Sequence, residues 1–374
     1  GWPKNPDFNH DDNENYGVGS FEQATYQGQR SSAANSFIEP IAIQSNFRLL
    51  TNANVEKILI EEKRAKGVIY HHNGSRETLI ATRGVILCGG AINNPKLLML
   101  SGIGPSDALT KHGINVVHEL NGVGSNLQEH PDYSIVVAGK KHKGAHFSLA
   151  NILQNIVHGF KYWRSKTGPL SRGLAEVGGF IKSSPELKHA DIQLHFMPFQ
   201  LPANGVNMKQ MMQRGFTCRI SLLKPESRGH ISLASNNIND PPKITYNLLQ
   251  QDTDIKRLLN GIKQVREIFN HPDFSHYKIA EVSPGESIQT DHELEHAIRQ
   301  EVSIIYHPVG SCKMGHDYQA VVDDNLKVHG LEHLTIADAS IMPVTVSGNT
   351  NSTTMAIAEK AADRILTELA ANPL

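Results

Sequence analysis

The chain has 374 residues, with 36 lysines and arginines against 37 aspartates and glutamates and a formal net charge of −1. That balance gives no argument for a nucleic-acid partner or an anionic membrane, and no apolar run approaches the ~20 residues of a transmembrane span. Three widely spaced cysteines (Cys88, Cys218, Cys312) make a disulfide framework a poor reading, and the 20 histidines are scattered along the chain with no C-x-x-C pair to join them in a metal site.

The first forty residues are polar and turn-rich, and Phe47 to Leu50 and Val55 to Ile60 read as short strands. Val68-Ile69-Tyr70 and Thr78-Leu79-Ile80 flank Asn73-Gly74, a hairpin turn in which both central residues tolerate positive φ. The run Gly84-Val85-Ile86-Leu87-Cys88 predicts a strand buried on both faces, followed by an apolar helix through Leu97, Leu98 and Leu100. Lys140-Lys141-His142-Lys143 reads as a solvated loop, and a helix is expected from about Ile152 to Trp163, ending at Thr167-Gly168-Pro169. Strands are expected at Asp191 to Phe196 and Phe216 to Leu223. The clearest amphipathic helix, Asp252 to Phe269, repeats apolar residues at three- and four-residue spacing, with Asp252 or Thr253 as its N-cap. A last helix carries Met355, Ala358, Ala362, Ile365 and Leu369, with Asn351 and Ser352 immediately before it.

The informative stretches lie outside this periodicity. They are Gly90-Ala91 through Ser101-Gly102-Ile103-Gly104-Pro105, Gly122-Val123-Gly124-Ser125-Asn126-Leu127-Gln128-Glu129-His130-Pro131, and Pro225-Glu226-Ser227-Arg228-Gly229. Near the C-terminus come Tyr306-His307-Pro308-Val309-Gly310-Ser311-Cys312-Lys313-Met314-Gly315, then Asp338-Ala339-Ser340, then Gly348-Asn349-Thr350-Asn351-Ser352-Thr353. A histidine before proline is held away from helical geometry, and imidazole titrates near neutrality, so His307 suits a loop-borne general base.

In this order the blocks resemble the glucose–methanol–choline (GMC) family of flavin oxidoreductases, with Asn94 and Glu129 as small departures from its pattern. The resemblance implies an α+β/α/β architecture: a GMC-type FAD-binding domain and a mixed-sheet substrate domain. Expected boundaries are 1–131 for part of the FAD-binding domain, 132–300 for the substrate domain and 301–374 for the return to the FAD-binding domain. It implies FAD as cofactor and oxidation of a primary alcohol to an aldehyde, with His307 and Asn351 as the catalytic pair. Asn349 is the rival to Asn351, and spacing to the helix favours Asn351. Val55, Asp338 and Ala339 are the implied cofactor contacts, and free N–H groups at Thr353 and Thr354 are expected to face the flavin.

A quinone or other carrier is the implied electron acceptor, in the cytoplasm or peripheral to the inner membrane. The stretch after His130, Asp132-Tyr133-Ser134-Ile135-Val136-Val137-Ala138, lacks at its far end the acidic residue expected for choline, which leans the reading towards an uncharged alcohol. Gly17-Val18-Gly19, Gly102-Ile103-Gly104 and Gly122-Val123-Gly124 only approach the G-x-G-x-x-G dinucleotide turn and are read as turns. The chain is therefore expected to lack that turn and to represent a C-terminal portion. A remnant without turnover and a non-redox hydroxynitrile-lyase-like member are the alternatives.

Overall fold

Alternating apolar residues and hairpin turns in the first 140 positions, then longer periodic stretches, give the following elements in the computed structural model, which describes residues 1–10, 15–140, 152–201 and 213–371. The strands are β1 Gly17–Ser20, β2 Ala53–Glu61, β3 Arg64–His72, β4 Ser75–Ile80, β5 Val85–Leu87, β6 Pro131–Gly139, β7 Val177–Ile181, β8 Ile192–Met197, β9 Gly215–Leu222, β10 Lys278–Ser283 and β11 Leu334–Ile336. The principal helices are α1 Gly90–Leu100, α2 Ile152–Ser165, α3 Asp252–Asn270, α4 Asp291–Glu301 and α5 Thr350–Ala371.

These elements fall into two units. The first comprises residues 1–49, 131–223 and 251–303, and the second 50–130, 224–250 and 304–374. The expected boundaries near 131 and 300 lie close to those at 130 and 303, but two segments change place. Residues 1–49 join the first unit because β1 is an edge strand on β7, with Gly17 opposite Phe180. Gly17-Val18-Gly19 is thus strand rather than turn. Residues 224–250 join the second unit because Gly229 and Ile231 hydrogen-bond Leu127 and Gly124 through their backbones.

In the first unit the strand order is β1-β7-β8-β9-β6-β10, and each pairing along this path is antiparallel. Helix α3 covers the sheet with Ile255, Leu258, Ile262, Val265 and Phe269, all buried. Gly261 lets it approach closely, since a Cβ there would meet Ile220 and Ile192 at 3.2 and 3.3 Å. Its N-cap is Gln251, one residue before the expected cap. Buried Asp132 on β6 is held by Arg219 at 2.5 Å and by the Ser221 hydroxyl at 2.7 Å.

In the second unit β2-β3-β4 form an antiparallel meander, and the Asn73-Gly74 turn has φ values of 50° and 80°. Residues 47–50 form no strand. Strand β5 pairs in parallel with β11. Leu87 is buried but Ile86 is 51% exposed, so β5 is covered on one face only, not on both as its apolar run predicts. Asp338, just after β11, fastens this region to α1. One carboxylate oxygen accepts from Gly90 N–H and the Asn94 amide, both at 2.7 Å, and the other from Ser340 N–H and its hydroxyl.

Candidate active site

The His307 loop is built by pairing with a segment far away in sequence. Gln128 and Val309 exchange backbone hydrogen bonds in both directions at 3.0 Å, which sets residues 128–130 beside 307–309. Tyr306 turns the chain with a left-handed φ of 65°, and Gly310 follows with φ 88°, where a Cβ would lie 2.7 Å from Asn126 O. The buried carboxylate of Glu129 then receives three backbone N–H bonds: one from His130 at 2.8 Å, and His307 N–H shared between its two oxygens at 2.9 and 2.7 Å. Charge-assisted bonds of this kind are roughly twice as strong as neutral ones, so Glu129 acts as the bracket for both histidines.

The two rings meet edge to face, with Nδ1 to Nδ1 at 3.1 Å. One of those nitrogens must donate, and the surroundings decide which. His130 Nε2 lies 3.1 Å from Val346 O, a carbonyl that only accepts, and 3.1 Å from the Thr345 hydroxyl, which can accept as well, so a proton on Nε2 serves both contacts and leaves His130 a lone pair at Nδ1. His307 therefore donates from Nδ1, leaving its Nε2 unprotonated. That nitrogen faces the amide of Asn349, whose Nδ2 donates to it at 3.1 Å. Burial favours this neutral state and pushes the His307 pKa down to about 4.

Glu129, His130 and His307 also place one ligand atom each within 4.8 Å of one another, a spacing open to a metal ion. The hydrogen bonds argue against that use. Both Glu129 oxygens are taken by backbone N–H groups, and the His130 lone pair is taken by the His307 proton. What the arrangement offers is a neutral imidazole of fixed tautomer with a basic nitrogen at its outer end.

The expected site residues are placed as follows. His307 is at the centre of the site. Asn351 is exposed in the first turn of α5, while Asn349, the residue just before that helix, is the one bonded to His307. Because α5 starts at Thr350, the N–H groups of Thr353 and Thr354 fall within its i→i−4 ladder, and the unpaired donors are those of Thr350, Asn351 and Ser352. The Asp338 side chain is committed to Gly90, Asn94 and Ser340, and the Ala339 carbonyl accepts from Gly310 N–H. Val55 lines a separate cavity of about 720 Å³ between the meander, β5 and the start of α1, with Cys88, Gly89 and Asn94. Sequence reasoning assigned no role to His130 or Glu129, although the block containing them was in view.

Two models of the GMC oxidoreductase family match the chain, at residues 1–132 and 225–358. The chain belongs to the GMC oxidoreductase family. An alcohol dehydrogenase [acceptor] of Pseudomonas putida is 40% identical to this GMC chain over 364 residues, which is 97% of the chain and 65% of that protein. An oxygen-dependent choline dehydrogenase of Pectobacterium carotovorum is 38% identical over 98% of the chain and 65% of that relative. The chain thus spans about two thirds of the length of these curated relatives. Among solved structures, a formate oxidase superposes with a TM-score of 0.89 at 27% identity, covering 98% of this chain and 68% of that one.

Proposed function

We propose that this GMC chain carries the proton-abstracting centre of an FAD-dependent dehydrogenase that oxidises an uncharged primary alcohol to an aldehyde. The observation that carries the proposal is the chain Asn349–His307–His130–Val346, which leaves the lone pair of His307 Nε2 directed at the Asn349 side-chain amide. An entering alcohol takes the place of Asn349 at that nitrogen. Its O–H donates to Nε2, and the freed Asn349 amide donates to the alcohol oxygen as negative charge develops there. His307 keeps its Nδ1 proton on His130 throughout, so the imidazolium that forms has a partner on its inner side.

When bound, FAD supplies the hydride acceptor. The fit of the chain to that group is partial among the described residues. The cavity at Val55 is apolar and sized for a nucleoside, but the N–H of Gly90 at the start of α1 is taken by Asp338 and that of Gly89 by Asn94, so two of the donors at this helix end are withheld from a pyrophosphate. The free donors at the start of α5 follow directly on Asn349 and suit an anionic ring edge. Choline is disfavoured because Asp132, the carboxylate that follows His130, is committed to Arg219 and Ser221. The name of the Pseudomonas relative supports an alcohol substrate and an electron acceptor, for which a quinone is the proposed class.

The test is anaerobic addition of primary alcohols to the FAD-loaded chain, following loss of the oxidised flavin band. Reduction by alcohols, abolished in His307→Ala, is the expected result. Bound flavin that no alcohol reduces would refute the redox reading.

A further inference from the structure

A surface helix of a globular protein buries its apolar stripe and shows water its polar face. Helix α2 does the reverse. Ile156, Val157, Phe160 and Trp163, which share one face at three- and four-residue spacing, are 61%, 63%, 62% and 72% exposed. His158 and Tyr162, on the opposite side, are the half-buried ones. Phe160 and Trp163 lie with ring centroids 6.0 Å apart, and Leu170 and Leu174 extend the exposed apolar surface just beyond the helix.

The charge of this segment is as one-sided as its hydrophobicity. Residues 152–175 contain Lys161, Arg164, Lys166 and Arg172 and no aspartate or glutamate, in a chain that is otherwise balanced. Lys161 and Arg164 are exposed; Lys161 borders the stripe beside Val157, and Arg164, four residues after Phe160, lies on the apolar face itself. Arg172 is partnered by Glu176, and Lys166 packs over the Tyr162 ring. Lys140, Lys141 and Lys143 precede the segment in sequence with the same sign.

We infer that α2 is an interfacial helix that docks the protein on an anionic phospholipid bilayer, lying flat with Phe160 and Trp163 in the headgroup–acyl boundary and Lys161 and Arg164 among the lipid phosphates. An apolar face carrying tryptophan, with a lysine at its border and an arginine long enough to reach the phosphates from it, is a composition such helices use. The helix has 14 residues, too short to span, and none of the described helices is long and apolar enough to cross a membrane. A second copy of the chain is the poorer occupant. A two-fold contact through α2 would bring Lys161 and Arg164 against their own symmetry mates with no acidic residue of the segment to answer them.

The test is co-sedimentation of the full chain with phosphatidylcholine vesicles, with and without a minority of phosphatidylglycerol. A Trp2→Phe background makes Trp163 the only tryptophan reporter. Expected results are pelleting with the anionic vesicles only, a blue shift of Trp163 emission on binding, and release by high salt. Phe160→Ser/Trp163→Ser should abolish pelleting, and Lys161→Glu/Arg164→Glu should weaken it about tenfold or more. Both pairs are exposed, and unchanged circular dichroism shows that they fold. No pelleting, or equal pelleting with both vesicle types, overturns the inference. So does a dimer in solution that dissociates on Phe160→Ser/Trp163→Ser, which would assign the stripe to a second copy. Neither reading depends on whether the chain oxidises alcohols.

Discussion

Replacing His130 by leucine isolates the step on which the proposed chemistry depends. In the native site His307 donates from Nδ1 to His130 at 3.1 Å, and His130 itself is fully buried. Leucine removes the acceptor without admitting water, and a buried N–H left without a partner costs about 1–3 kcal/mol. The imidazole escapes that cost by moving its proton to Nε2, where the Asn349 carbonyl accepts it after an amide flip. The tautomer ratio then shifts by the same energy, a factor of about 5 to 150, and the fraction of His307 able to accept a hydroxyl proton falls with it. Flavin reduction by alcohol should slow by that factor, while His130→Gln, which keeps an acceptor and a donor, should recover most of the rate. Long-range ¹H–¹⁵N imidazole spectra, assigned with His307 variants, read the tautomer directly and need no turnover. Native His307 protonated at Nε2, or a leucine variant with unchanged tautomer and rate, would falsify the argument.

The depressed pKa of His307 also makes stability depend on acidity. Burial pushes it down to about 4 from the ordinary 6.5, so between those pH values the unfolded chain binds a proton that the native site refuses. This contribution is intact above pH 6.5 and is lost as pH falls towards 4, by about 3 kcal/mol in all. Urea titrations from pH 7 to about 4 should show the loss, and His307→Asn should remove this part of the slope; an unchanged slope would refute the assignment. Asn349→Ala should slow flavin reduction by alcohol, whereas Asn351→Ala should act only through the helix end; the opposite ranking would return the role to Asn351. Arg219→Met strands the buried Asp132 carboxylate and should cost about 3–5 kcal/mol in chemical denaturation. Adding Asp132→Asn should recover part of it, and a loss below about 1 kcal/mol would show that the pair contributes only what an exposed one does.

Elements with local causes were legible in the sequence. Asn73-Gly74 specifies its hairpin within four residues, and the apolar repeat of α3 suffices to place that helix. His307 was legible because its loop sits inside a long motif. Features made by distant pairing were not. The role of His130 depends on Glu129, which joins its backbone to that of His307, 178 residues apart by the Glu129 contact. The placement of residues 1–49 depends on β1 finding β7 across some 160 positions. The choice between Asn349 and Asn351 turned on where α5 begins. At ~100° per helical residue, two positions differ by ~200° around the axis, so a small error in the start exchanges one side of the helix for the other. The exposure of Ile86 was equally hidden, since an apolar run states what a strand prefers but not which neighbours supply it.

The interleaving of the two units has a consequence for synthesis. The chain passes between them five times, at residues 49/50, 130/131, 223/224, 250/251 and 303/304. Neither unit is a continuous stretch that a ribosome can finish and release to fold. The second waits for residues 304–374, which bring His307, β11 and α5, and the first waits until residue 303. At ~5–20 residues per second, an emerging chain spends many seconds with β1, β5 and β6 exposed and their partners unmade. Protection of that nascent sheet, more than the native stability of either unit, should govern how much active chain a cell recovers, and the yield should respond to slower translation and to chaperone supply.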